Sequence, residues 1–430
     1  MEQLLHYVWK HRIFPLKELK TTDGESIEVI SPGIHNSNEG PDFLNAKVRI
    51  GDSMWAGSIE IHLKASDWHR HSHSANAKYD NVILHVVGVD DCCISRASGH
   101  AVPQMVLEVP ERVRSNYEVL LREDRYPRCH KIIGGLPRLT VDSWLTALQT
   151  ERFEQKAMRI GHILQQTNGN WEQTFFRILA RAFGFGINSH AFETWAEHID
   201  LTQTGHHRDE LFQIETMFIG QAGLLERKPP VNDDYYERMK GEYAYLAHKF
   251  TLTPMDTGEW NFMRLRPQNS PYIRLSQLAQ LYFDNRLNLS RIVEAKDIDT
   301  LRQLLATHAT KYWRTHYSFG AESRESDKQL SVAMTDSLLI NAVAPTLFCY
   351  GRTTMNEECE ERALDLMEQI KAEDNHIIRM WRECGLTVAS AADSQALIQL
   401  KNEYCDKREC LRCRFGYEYI KQNHGIEPKI

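Results

Sequence analysis

Between residues 25 and 110 apolar positions recur at every second residue, which is the period of β-strands. The run Ile27-Glu28-Val29-Ile30 stops at Ser31-Pro32-Gly33, and residues 43–50 place Leu44, Ala46, Val48 and Ile50 on one face. Gly51-Asp52-Ser53 supplies turn residues, 55–63 returns as a strand, and Val82-Ile83-Leu84-His85-Val86-Val87 suits a strand buried on both faces. A further strand is expected at 104–109 and a leading helix at 2–11. After Pro137 the period becomes helical, through 141–166, 171–183, 192–199, 211–218, 233–249, 274–282, 292–308, 331–344, 356–381 and 394–404. Segments 251–271 and 312–330 are polar and turn-rich, and no repeat or low-complexity tract is visible. The pattern therefore predicts an α+β chain: a mixed-sheet domain over 1–125, a mainly helical domain over 136–400 and a cysteine-rich tail over 401–430.

Composition narrows the setting. A chain of 430 residues with 42% hydrophobic positions has material for two or three cores. No stretch approaches the roughly eighteen uncharged apolar residues of a membrane span, and the N-terminus lacks the basic-then-apolar build of a signal peptide. Nine cysteines in a chain of this kind point to a reducing compartment, so a cytoplasmic protein without a membrane partner is expected. The net charge of −7 excludes a whole-protein electrostatic grip on DNA or RNA; any nucleic-acid contact has to be local.

The richest chemistry lies in Asn36-Ser37-Asn38-Glu39-Gly40-Pro41-Asp42-Phe43 and Gly57-Ser58-Ile59-Glu60-Ile61-His62-Leu63-Lys64. An antiparallel pairing about a turn at Asp52, with partner numbers summing to about 104, sets Asp42 opposite His62 and Leu44 opposite Glu60. Two-residue periodicity keeps Glu60, His62 and Lys64 on one side, so carboxylates and nitrogen bases converge at one sheet end. Neighbouring half-buried carboxylates repel unless a cation sits between them, and hard oxygen donors suit Mg²⁺ or Mn²⁺.

These residues resemble the PD-(D/E)xK phosphodiesterase superfamily: Pro41-Asp42 matches its first element and Glu60-Ile61-His62 its second, with histidine where the superfamily has lysine. The resemblance covers about the first 110 residues and implies a restriction-endonuclease-like fold, with Glu39, Asp42 and Glu60 holding the metal and His62 or Lys64 assisting the attacking water. Glu2, in the leading helix, is the other residue that fits the upstream acid. Over nearly its full length the chain is also similar to an uncharacterised bacterial family known only as a domain of unknown function, through 39–43, 57–87 and 404–416.

Three other clusters carry candidate chemistry. Ser66-Asp67-Trp68-His69-Arg70-His71-Ser72-His73 offers histidines at alternate positions within reach of His62 and His85, a transition-metal set or, through His69, Arg70 and His71, a contact to substrate phosphate. Cys405, Cys410 and Cys413 stand beside Lys407, Arg408, Arg412 and Arg414 and suit a structural zinc or iron–sulfur centre. Cys384 is the nearest cysteine upstream for the fourth ligand, with Cys349, Cys359 and His376 as alternatives. Arg264, Arg266 and Arg274 alternate with aromatic residues in a loop, a local nucleic-acid candidate. The expected activity is metal-dependent phosphodiester hydrolysis of nucleic acid; the alternative is an inactive nucleic-acid-binding or scaffold protein of the same fold.

Overall fold

A computed structural model describes residues 2–14, 19–36, 38–96, 98–206, 209–263 and 265–422. Two compact units divide the chain. The first comprises the residues up to Val141, the short segment Glu383–Leu386 and everything from Leu400 onward; the second comprises Asp142–Arg382 and Thr387–Gln399. The cysteine-rich tail, expected as a segment of its own, thus belongs with the sheet.

In the first unit, helix α1 (Glu2–Lys10) precedes strands β1 (Ile27–Ser31), β2 (Ile34–His35), β3 (Phe43–Ile50) and β4 (Ser53–Lys64). A short helix α2 (Asp67–Arg70) leads to β5 (Val82–Val89) and β6 (Gln104–Val106). The sheet order is β1-β3-β4-β5-β6, with β2 also paired to β3. Pairing is antiparallel as far as β4 and parallel from β4 through β6, so the sheet is mixed. Strand β5 reads Val-Ile-Leu-His-Val-Val because both of its faces are covered, and those six residues are all buried.

The register of β3 on β4 differs from the expected one. The turn pairs Ile50 with Ser53 and Val48 with Trp55, so the partner numbers sum to 103, and a bulge then pairs Phe43 with Ile59. Asn45, at φ +58°, is the residue that absorbs the extra step. Leu44 is consequently turned outward while Phe43 is fully buried, and Asp42 comes to lie beside Glu60. Gly57 is required where β4 passes the entry to β5: a Cβ there would stand 2.5 Å from Ile83 Cγ2 and 2.6 Å from the Asn81 carbonyl.

Helix α3 (Glu111–Arg122), absent from the sequence reading, buries only Val113, Asn116 and Leu120, too sparse a stripe to stand out. Its Asn116 amide donates to the carbonyls of Ile420 (3.0 Å) and Gln422 (2.8 Å), satisfying the end of the last helix, Arg414–Lys421. This contact ties the tail into the sheet unit.

The second unit is helical around an aromatic core that includes Phe176, Trp195, Phe218 and Trp313. The helix expected over 292–308 is two, Leu289–Glu294 and Ile298–Leu305, because Asp297 caps the second by accepting from Thr300 N at 2.7 Å. Asn375 likewise starts His376–Glu383 by accepting from Ile377 and Ile378, which ends the long helix expected over 356–381. A small hairpin, His316–Ser318 with Ala321–Glu322, occupies part of the expected loop 312–330. One helical run, Val332–Thr354, is long and apolar enough to cross a membrane by length and composition alone. Its most apolar window is 67% buried inside the unit, and its Asp336 is paired with Arg302 at 2.8 Å.

Candidate functional site

Parallel register places Glu60 beside His85, and His85 beside Gln104, so one row of polar side chains crosses β4, β5 and β6. All three are buried, and His62 stands two residues further along the same face of β4. The connection from β4 to β5 folds over this row. It does not form the strand that alternate histidines suggested: α2 is followed by Ser72 at φ +60° and a 3-10 turn, His73–Ala75. That path sends His69 outward, with its Nδ1 3.5 Å from Ser74 Oγ, and brings His71 and His73 to His62. One ring nitrogen from each of His62, His71 and His73 lies within 4.8 Å of the others.

Asp42 and Glu60 interlock through the backbone. Asp42 N–H donates to Glu60 Oε2 at 3.1 Å, and Ile61 N–H donates to Asp42 Oδ2 at 2.8 Å. Burial pushes both carboxyls above the ordinary range, and at Asp42 the neighbouring Glu60 charge adds to it. Glu2 on α1 raises both further, so the leading helix supplies the third acid of this neighbourhood. Glu39 is not brought to the pair: it is exposed and bonded to Lys78 Nζ at 2.7 Å. Lys64 lies at the exposed end of β4, where its charge acts on Asp91.

Glu60 Oε1 faces two imidazoles, His73 Nε2 at 3.2 Å and His62 Nε2 at 3.5 Å. Proton roles around His62 are set from behind. The Gln104 amide nitrogen donates to Asp90 Oδ1 (3.2 Å) and the Cys92 carbonyl (2.9 Å), which turns its oxygen toward His85 Nδ1 at 3.0 Å. His85 therefore carries its proton on Nδ1, and its Nε2 accepts from His62 Nδ1 at 2.8 Å. The lone pair of His62 is left on Nε2, aimed at Glu60 and 3.2 Å from His71 Nδ1. Burial, then the charges of His85, His73 and His71, hold the His62 imidazole far below its ordinary value and keep it neutral.

Two buried nitrogens beside the carboxyls make no well-aligned hydrogen bond: His73 Nε2, whose facing atom is Glu60 Oε1, and His6 Nε2, 3.6 Å from Asp42 Oδ2. Acceptor atoms facing one another in a buried space are costly without a cation or proton between them. The donor set of three imidazoles and a carboxylate fits a transition metal better than the Mg²⁺ suited to oxygen ligands alone. Two of its members, His71 and His73, were marked in the sequence by their repetition; His6 was not, because it sits in no motif.

Of the expected nucleic-acid contacts, His69 and Arg70 are exposed, and Arg70 is paired with Asp67 at 3.0 Å. Arg266 is exposed in the helical unit, whereas Arg264 lies outside the described residues. Arg274 is a correction: it is 2% exposed, bonded to Asn269 Oδ1 (2.6 Å) and Gln277 Oε1 (2.7 Å) and stacked 4.7 Å from the Phe185 ring centre. It anchors a helix start and has no surface to offer a strand of nucleic acid.

A family model described as a protein of unknown function, DUF2851, matches residues 2–376, a span that takes in the whole carboxylate–imidazole cluster. No curated protein and no solved structure matches the chain. The chain belongs to this DUF2851 family of proteins of unknown function.

Proposed function

We propose that the protein is a metal-dependent phosphodiester hydrolase acting on nucleic acid, with Glu60, His62, His71 and His73 as metal ligands. The convergence of these four side chains beside Asp42 carries the reading. Mn²⁺ and Zn²⁺ suit this donor set. Such an ion supplies Lewis-acid polarisation of a phosphoryl oxygen and a bound water of lowered pKa.

The chain's own groups divide the remaining work. Asp42, held next to Glu60 with a raised pKa, is placed to take a proton from water, and His6 faces it from α1 at 3.6 Å. Gln104 and His85 orient His62 from the side away from the cluster. His71 is exposed while His62 and His73 are buried, so the cluster opens at His71, beside the exposed His69 and Arg70 that would meet substrate phosphate. His62 fills the position where the superfamily pattern has lysine and acts as a ligand.

The test is cleavage of plasmid DNA, single-stranded DNA and RNA by the purified full-length protein with Mn²⁺, Zn²⁺ or Mg²⁺. Hydrolysis that requires metal and is lost in Glu60→Gln and His62→Ala is expected. Metal binding and nucleic-acid binding without cleavage by any of the three ions would leave the inactive binding protein as the better description.

A further inference from the structure

Four cysteines from two distant parts of the chain meet in the first unit. Cys129 stands just before helix α4 (His130–Ile133), and Cys405 ends a π-helical turn, Leu400–Cys405. Cys410 and Cys413 occupy the tight turns that follow, Cys413 at the N-cap of the last helix. Together with Tyr126 and Tyr404 they line one cavity of about 20 Å³. The turns are drawn in closely: a Cβ on Gly416 would sit 2.0 Å from the Cys410 carbonyl, so only glycine lets the last helix pass there.

Cys129 is the member that sequence spacing missed. The upstream cysteine nearest in sequence, Cys384, is not on this wall: its carbonyl backs onto Gly134, and the charges that reach its thiol are those of Arg125 and Glu383. By contrast, the charges that reach Cys129 are those of Cys413, Cys405 and Cys410.

We propose that Cys129, Cys405, Cys410 and Cys413 bind an iron–sulfur cluster. Among the described residues, no three of these sulfurs lie within 4.8 Å of one another. A zinc–thiolate tetrahedron with Zn–S of about 2.3 Å needs its sulfurs only about 3.8 Å apart and leaves no space between them for a water-sized sphere. The cavity that these cysteines line together with Leu120, Tyr126, Arg128, Tyr404 and Gly416 does hold such a sphere, and a polynuclear cluster spreads its four thiolates around a larger core. A packed apolar interior would close a gap of this kind, and the four thiols are free rather than joined in disulfides. All four positions around the cluster are filled by protein sulfur, so it acts as a staple of the tail rather than a substrate site; Arg128, whose charge reaches Cys410, offsets part of the negative charge.

The experiment measures iron, acid-labile sulfide and zinc in the full-length protein purified without oxygen, with its visible spectrum before and after dithionite. Iron and sulfide in matching amounts, with a brown absorption that dithionite bleaches, are expected. Zinc in place of iron, or no metal, would overturn the proposal without any variant being made. For the ligand set, Cys129→Ser is expected to lose most of the iron while Cys384→Ser keeps it, with circular dichroism run on both. Iron retained in Cys129→Ser, or lost equally in a folded Cys384→Ser, would overturn the assignment of Cys129.

Discussion

His62 Nδ1 lies 2.8 Å from His85 Nε2, and this single hydrogen bond decides which nitrogen of His62 faces the carboxylates. The bond is itself set by Gln104, whose side-chain oxygen accepts from His85 Nδ1–H and so leaves His85 Nε2 as the acceptor for His62. Gln104→Leu removes that acceptor while leaving every proposed ligand in place. Metal affinity is expected to fall by about 10–100-fold, the usual cost of losing such an orienting partner, beside a loss of about 1–3 kcal/mol in the metal-free protein from leaving His85 Nδ1 and the Cys92 carbonyl without their partner. Isothermal titration with Mn²⁺ and Zn²⁺ reads the effect, and unchanged affinity would contradict the proton relay.

Gly57→Ala tests the close passage of β4 over β5. The new methyl meets a side chain at 2.5 Å and a backbone carbonyl at 2.6 Å, and the carbonyl cannot move because it also accepts from Ser58 N at 2.8 Å. A loss of about 1–3 kcal/mol in denaturant unfolding is expected. Ile83→Val in the same chain should restore little of it, since the carbonyl clash remains.

Arg274 separates packing from recognition. Arg274→Ala leaves Asn269 and Gln277 without their donor and removes the cation over Phe185. Stability is expected to drop by about 2–3 kcal/mol, measured by urea unfolding. Binding of a labelled oligonucleotide should be unaltered at temperatures where the variant is folded.

Acid should loosen the junction between α1 and the last helix. The His11 ring packs on Tyr7 and Tyr417, each at 4.7 Å, and burial followed by the charges of Lys10 and Arg414 lowers its pKa to about 4. Between about 4 and the ordinary histidine value of 6.5 the unfolded chain binds more protons than the folded one. The stabilising contribution is therefore complete above 6.5 and lost as pH falls toward 4. His11→Gln should melt less steeply with pH than the wild type across that window, with the two chains differing least in pH response above it.

Much of the first unit was legible because its strands keep a two-residue period and its turns carry Gly51 and Asp52. Register was not, because one residue at φ +58°, Asn45, shifts every partner beyond it, and nothing about an asparagine in a strand announces that it will be the bulge. The same shift replaced the expected Asp42–His62 pairing with Asp42 beside Glu60.

By itself the sequence determined most of the elements: where apolar residues repeat at two or at 3.6, and that acids, histidines and thiols were present in clusters. Tertiary structure alone decided who meets whom. His6 reaches Asp42, His85 reaches His62, Glu39 stays apart from both acids, and Cys129 joins cysteines nearly three hundred residues away. Local patterns are set by each residue's own conformational and solvation preferences, whereas a site is set by which surfaces the chain must bury together. That second quantity depends on the packing of all the elements at once, and no spacing in the sequence records it.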